Sequence, residues 1–296
     1  MKKRSGGKQP SAGWERFFVT PWPSLILIAL AALLIYSNIY NCPFVFDDLN
    51  IIRDNEVIRN LAWHLQPENI FYRRGVTNLT FALNYQLGKL NVRGYHLVNV
   101  VIHAINGWIV YFLSLLFLRY LASPDKSPVE AQTIQSRSAR RGKSKKRETS
   151  SGYDRVFYSP STARLAALAA ALLFTCHPLQ TQTVTYTVQR AATLAALFYM
   201  AAVLFYLKAR LAQLHTTGDS TRGSTVLILY TLASLSAILA LLSKENTCTL
   251  PLVILLSEYL LFTRSWQAWK KKLPWFAGIL VLWILGGLLV LGIFQK

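Results

Sequence analysis

Two adjacent carboxylates, Asp47 and Asp48, follow the first long apolar run of the 296-residue sequence, within the stretch FVFDDLNII. Five of the 13 acidic residues fall in the segment 41–95 that contains them. A carboxylate beside a membrane could act as a general base or hold a divalent metal against a phosphate. The alternative is a structural role as a helix N-cap, which Asp often fills.

Three cations are candidates for binding a phosphate group: Arg74, Arg190 and Lys244. Guanidinium suits phosphate because it can donate two parallel hydrogen bonds. Two structural alternatives remain open. Arg190 could extend to the lipid headgroups, and Lys244 could form a salt bridge with Glu245 that holds two helix ends together.

A polar stripe lies in the second apolar run, GYHLVNVVIHAINGW. His96, Asn99, His103 and Asn106 recur at steps of three, four and three, which places them on one helical face. Polar side chains inside a membrane rarely face lipid, so we expect this face to point into the bundle. The stripe fits either a wet cavity or simple hydrogen bonding between helices.

Apolar residues make up 53% of the chain, and they fall into runs long enough to cross a bilayer of roughly 30 Å. The sequence therefore predicts an all-α membrane protein, a polytopic bundle of about seven transmembrane helices. Glu258, inside the sixth run, is expected to pair with Arg264. The seven predicted spans are 22–40, 96–118, 161–176, 191–207, 225–243, 247–262 and 274–294.

The net charge of +19 is explained by topology, because Lys and Arg cluster between the apolar runs and basic loops stay cytoplasmic. Nucleic acid is therefore not an expected partner, and the three cysteines have no metal-ligand spacing. We expect a cytoplasmic basic tail at 1–21, two spans within 22–121, a disordered basic cytoplasmic linker at 122–160, and spans three to seven within 161–296.

This alternation places the N-terminus in the cytoplasm and the catalytic loop 41–95 on the outer side, periplasmic in a bacterial inner membrane or lumenal in the endoplasmic reticulum. Within the loop, the spacing of apolar residues predicts amphipathic surface helices over 51–65 and 78–90.

Four blocks between Phe44 and Phe262 resemble, in order, the membrane half of the transmembrane-and-tetratricopeptide O-mannosyltransferases and their bacterial relatives, which are GT-C glycosyltransferases. Relatives often read Arg-Pro-Leu-Thr where this chain has Arg74-Gly75-Val76-Thr77, and the family's later spans and tetratricopeptide helices are not in the sequence. The blocks are FVFDDLNII, RGVTNLTFALNYQLGKLNVRGYHLVNVVIHAIN, FTCHPLQTQTVTYTVQRAATLAALFYMAAVLFYLKAR and LLSKENTCTLPLVILLSEYLLF.

The resemblance implies the seven-span GT-C common module and a polyprenyl- or dolichyl-phosphate sugar donor. It also implies transfer on the outer face to a protein or glycan hydroxyl, with Asp47 and Asp48 in the base or metal role. A second-half or tetratricopeptide partner is implied by the family's remaining length. The residues that match the family blocks are His177, Gln189, Arg190, Lys244 and Glu245.

Two functions therefore remain open from the sequence. The leading hypothesis is a membrane glycosyltransferase with a donor-phosphate site at Arg74, Arg190 and Lys244. His96, His103, His177, Gln189 and Glu245 are its supporting polar residues. The second is a non-catalytic lipid-binding, transport or partner subunit that keeps the fold. Binding of the donor without turnover would distinguish the second from the first.

Overall fold

The computed structural model describes residues 20–122, 160–214, 220–263 and 266–290, and these residues contain helices and no strand. The basic tail, the basic linker and Arg264 lie outside them, apart from a few residues at the edges. The α-helices are α1 Trp22–Ile35, α2 Leu61–His64, α3 Pro67–Ile70, α4 Gly75–Gly88, α5 Val92–Ala122, α6 Pro160–Thr175, α7 Gln180–Thr185, α8 Arg190–Leu214, α9 Ser220–Ser243, α10 Leu250–Ser257 and α11 Trp266–Val290.

Four helical segments are long and apolar enough to cross a membrane: Val92–Arg119, Thr187–Leu214, Gly223–Ser243 and Trp269–Leu288. This confirms the predicted all-α membrane class. The helices at the predicted first and third spans are apolar but have only 14 and 16 residues. At the predicted sixth span, α10 has eight residues and continues as a π-helix, Glu258–Phe262. The count of seven spans therefore stays a prediction.

Helix α5 lies between α1, α6 and α8. Its close contact with α1 and α6 depends on Gly107, where a Cβ atom would come within 2.7 Å of the Ile28 side chain and 2.6 Å of the Thr175 hydroxyl. Alanines on the facing side of α6 keep that helix equally close, because a small side chain separates two backbones least. Helix α9 packs against α8, and α11 is the most exposed of the four long segments.

The outer loop differs in part from the sequence prediction. The continuous amphipathic helix expected over 51–65 is wrong, because a π-helix Leu49–Arg53, a 3₁₀ helix Glu56–Arg59 and α2 take its place. Two asparagines cause the breaks. Asn55 accepts a hydrogen bond from the Val57 amide and Asn60 one from the Trp63 amide, and each starts a new helix. The second expected helix, 78–90, is confirmed as α4.

Glu258 has other partners than the one expected. Its buried carboxylate accepts hydrogen bonds from Tyr206 and Arg210 on α8 and from Lys272 on α11. The predicted partner Arg264 lies outside the described residues. These contacts join α8, the π-helix and α11 around one carboxylate, which satisfies the rule that a buried charge requires partners.

Candidate active site

Asp47 and Asp48 lie in the loop that follows α1, and their side chains have opposite environments. Asp48 is 1% exposed, whereas Asp47 is exposed. The preceding Phe46 has a φ of 47°, in the left-handed region that non-glycine residues rarely adopt. The turn thus places one carboxylate inside the protein and leaves the other at its surface.

The Asp48 carboxylate is held by backbone amides. One oxygen accepts a hydrogen bond from the Val188 amide at 2.7 Å, and the other accepts from the Val45 amide at 3.3 Å. Burial raises the pKa of the Asp48 carboxyl, and these hydrogen bonds offset the effect only in part. Asp48 therefore ties the loop to the 3₁₀ helix Thr187–Gln189, 140 positions later in the chain.

The Asp47 backbone amide donates a hydrogen bond to the Tyr186 hydroxyl at 2.9 Å. The carboxylate of Asp47 stays exposed, which leaves it able to take a proton from a substrate. The sequence did not single out Tyr186, although it lies in the TYTVQR stretch four residues before Arg190. Its place within a block that already carried a candidate cation was the available signal.

Arg190 is fully buried, and its guanidinium has internal partners. It donates to the Asn99 side chain at 2.8 Å, to the Tyr95 carbonyl at 3.0 Å and to the Thr80 carbonyl at 3.3 Å. The guanidinium also lies 4.4 Å from the centre of the Phe81 ring and interacts electrostatically with Asp48. It does not extend to the lipid headgroups, and it supplies positive charge from inside the bundle.

The polar stripe of α5 faces the bundle interior, as predicted, because all four of its side chains are buried. His96 donates to the Cys42 carbonyl at 3.0 Å and interacts electrostatically with Asp48. His103 bonds the Thr175 carbonyl at 3.0 Å between the rings of Tyr36 and Phe174. His96 therefore lies behind the acidic loop, whereas His103 joins α5 to α6.

A second charged cluster lies where α9 ends. The Nε atom of Arg74 lies 3.1 Å from a Glu245 oxygen, so Glu245 forms its salt bridge with Arg74 and not with Lys244, the structural alternative that the sequence left open. Burial favours a higher pKa for Glu245, but hydrogen bonds from its own backbone amide and from Arg74 lower that pKa overall. Lys244 is half-buried, and among the described residues no hydrogen bond or ion pair involves its ammonium group.

Helix α4 connects the two charged clusters. The Thr77 hydroxyl donates to the Ser243 carbonyl at 3.0 Å, next to Lys244, and the Thr80 carbonyl accepts from Arg190. Three residues along an α-helix correspond to about 4.5 Å. The structure therefore brings the acidic loop, Arg190 and Lys244 to the same end of the bundle.

The remaining two candidates lie beside the same segment. His177 is exposed, and its Nδ1 atom accepts a hydrogen bond from the Leu179 amide at 3.2 Å. Gln189 is half-buried and ends the 3₁₀ helix that bonds Asp48. Both belong to the connection between α6 and α8, and neither makes a described side-chain contact with Asp47 or Asp48.

A divalent metal does not fit the acidic pair well. Both Asp48 oxygens already accept backbone hydrogen bonds, which leaves Asp47 as the one exposed carboxylate of the pair. Within the ranges that the structure describes, no group of three or more His, Cys, Asp or Glu side chains could hold a metal ion. We therefore derive no chemical step through a metal.

Known proteins similar to this chain carry one activity in their names. Protein O-mannosyl-transferase Tmtc3 of Drosophila melanogaster is 28% identical over 243 residues, 76% of this chain. Protein O-mannosyl-transferase TMTC3 of Mus musculus is 30% identical over 200 residues, or 63% of this chain. Protein O-mannosyl-transferase TMTC4 of Homo sapiens is 28% identical over 246 residues, or 77% of this chain. The resemblance to the protein O-mannosyl-transferases is confirmed.

This chain spans 23%, 17% and 28% of the lengths of those three protein O-mannosyl-transferases, respectively. No family model matches the sequence, and no solved structure matches the fold.

Proposed function

We propose that this chain is the membrane part of a glycosyltransferase that moves a mannosyl group from a polyprenyl- or dolichyl-phosphate carrier to a protein hydroxyl. The names of the similar proteins support the sugar and the acceptor class. The observation that carries the proposal is the arrangement of an exposed carboxylate, Asp47, and a half-buried cation, Lys244, at one end of an apolar bundle. A lipid-linked phosphate enters such a site from the bilayer.

In the proposed reaction, the Asp47 carboxylate takes the proton from the acceptor hydroxyl. The hydroxyl oxygen then forms a bond to the anomeric carbon of the sugar, and the bond from that carbon to the phosphate oxygen breaks. The electron pair leaves with the lipid phosphate. Asp48 does not take part directly, because its carboxylate is buried and bonded to backbone amides.

The negative charge that develops on the departing phosphate requires cations. Lys244 fills this role in the proposal, because its half-buried ammonium interacts electrostatically with Glu245 but forms no hydrogen bond or ion pair within the part of the chain that the structure describes. Arg74 contributes from the same cluster, where its Nε bonds Glu245 and its two terminal nitrogens remain able to donate. Arg190 adds a fixed positive charge from inside the bundle without contacting the substrate.

We place this site on the lumenal or periplasmic side and the N-terminus in the cytoplasm. Charge supports this orientation, because Lys208, Arg210 and Lys270–Lys272 lie at the other end of the helices from the acidic loop. In a eukaryotic cell the membrane is that of the endoplasmic reticulum. Membrane lipids surround the exposed apolar faces, and we propose a tetratricopeptide or second-half partner for the chain.

The proposal is tested by transfer of labelled sugar from a panel of polyprenyl-phosphate donors to a hydroxyl-bearing peptide, with the full chain in lipid nanodiscs. We expect transfer by the wild type and none by Asp47→Asn. The matched control is Asp54→Asn, the same change in the same loop at an exposed carboxylate paired with Arg53. Transfer that persists in Asp47→Asn would reject the catalytic role, and donor binding without any transfer would favour the non-catalytic subunit.

A further inference from the structure

Tyr186 connects the exposed carboxylate to the rest of the site. Its hydroxyl accepts the hydrogen bond of the Asp47 backbone amide, across 139 positions of sequence. The same hydroxyl interacts with the Asp47 side chain. Tyr186 itself is half-buried, and its extended backbone is held between α7 and the 3₁₀ helix Thr187–Gln189.

The loop needs such a contact because it is strained. Phe46, next to Asp47, has a positive φ, and its ring is 83% exposed, so ring packing does not offset the strain. A non-glycine residue in the left-handed region is strained and persists only where the surroundings enforce it. The enforcing contacts must therefore come from the neighbours of Phe46.

Those contacts converge on three consecutive residues, Tyr186, Thr187 and Val188. Tyr186 holds the backbone of Asp47, and the Val188 amide holds the side chain of Asp48. The two contacts fix the chain at Asp47 and directly after it, while the Asp47 carboxylate remains exposed. This arrangement restricts the backbone of a base and leaves its reactive group accessible.

We infer that Tyr186 is a positioning residue for the transfer reaction, which sets the direction of the Asp47 carboxylate toward the acceptor hydroxyl through the Asp47 backbone. The inference rests on the proposed function, in which Asp47 is the base. A misplacement of about 1 Å can lower a rate by a factor of about 100. Loss of the hydroxyl should therefore affect turnover more than substrate binding.

The first test compares Tyr186→Phe with the wild type in the transfer assay. We expect kcat to fall roughly 10- to 100-fold, with the KM for donor and for acceptor changed less than about threefold. Tyr85→Phe is the matched control, since Tyr85 is also half-buried in the outer region, and its ring packs against Arg59 and Lys89. An unchanged kcat in Tyr186→Phe, or an equal loss in Tyr85→Phe, would overturn the inference.

The second test needs no activity. Hydrogen exchange of the full chain should show faster exchange at the Asp47 amide in Tyr186→Phe, while the Val188 amide, bonded to Asp48, keeps its protection. Equal exchange at Asp47 in both proteins would overturn the inference. A wild type without transfer would contradict the proposed function alone, and the exchange comparison would still decide whether Tyr186 holds Asp47.

Discussion

Gly75 offers a sharp test of the geometry around Arg74. A Cβ atom at position 75 would lie 2.1 Å from the Ile70 carbonyl oxygen and 2.4 Å from that of Asn69. Both neighbours are backbone atoms, which cannot rotate away as a side chain can. Because heavy atoms do not approach a Cβ more closely than 3.0 Å, the start of α4 or the chain before it must move by about 1 Å in Gly75→Ala.

The expected cost of this movement is about 1–3 kcal/mol, the usual range for overpacking a close contact. With a melting temperature that changes by about 2–4 °C for each kcal/mol, Tm should fall by roughly 2–12 °C. The Arg74–Glu245 ion pair should weaken as well, because Arg74 is the residue before the helix and has a φ of 58°. Proline at 75 would be worse, since it favours extended backbone at the preceding residue, whereas Arg74 is left-handed.

Thermal unfolding in detergent measures this effect, and Gly278→Ala is the matched control. Nothing lies within 4 Å of a Cβ at Gly278 in α11, so that variant should keep or slightly raise Tm. A Gly75→Ala protein with the Tm of the wild type would refute the close approach of α4 to the Asn69–Ile70 backbone. An equal loss in both variants would show that the effect belongs to glycine replacement in general.

Three further results are expected. Arg190→Met should lower the free energy of unfolding by at least about 2 kcal/mol, measured by thermal unfolding, because two buried acceptors and one partly buried acceptor lose their donor. Glu258→Gln should lower Tm more than Lys272→Met does, because the first change alters every partner of the carboxylate and the second removes one. The dependence of protein stability on pH should distinguish the contribution of Glu245 from that of Asp48. Because the pKa of Glu245 is lowered in the folded protein, Glu245 adds stability at pH values above the ordinary carboxyl pKa of 4.5, and this stability is lost as pH falls. Because the pKa of Asp48 is raised, Asp48 adds stability at low pH, and this stability is lost as pH rises. Unfolding curves of Glu245→Gln and Asp48→Asn against pH would therefore deviate from the wild type in opposite directions.

Patterns within one helix were sufficient to predict several features. The steps between His96, Asn99, His103 and Asn106 predicted a shared buried face, and all four side chains are buried. Helical periodicity also located α4 to within a few residues. Such features depend on neighbours three or four positions away, so the sequence contains them directly.

Contacts between segments that are distant in the chain could not be predicted from the sequence. The different environments of Asp47 and Asp48 depend on Tyr186 and Val188, and the pairing of Arg74 with Glu245 joins residues 171 positions apart. No pattern of neighbouring residues indicates which of the two adjacent carboxylates is buried. The caps at Asn55 and Asn60 were also missed, because the apolar spacing over 51–65 favoured one continuous helix, although asparagine is a residue type that often starts a helix.

The hydrogen bond between Asp48 and the Val188 amide also sets the order in which parts of the site can form during synthesis. At about 5–20 residues per second, the ribosome needs roughly 7–28 s to make the 140 residues between them. During that interval the Asp48 carboxylate has no backbone amide at 188 to bind and remains hydrated. The acidic loop therefore reaches its final form only after the start of α8 has been made, and the last cation of the site, Lys244, follows later still.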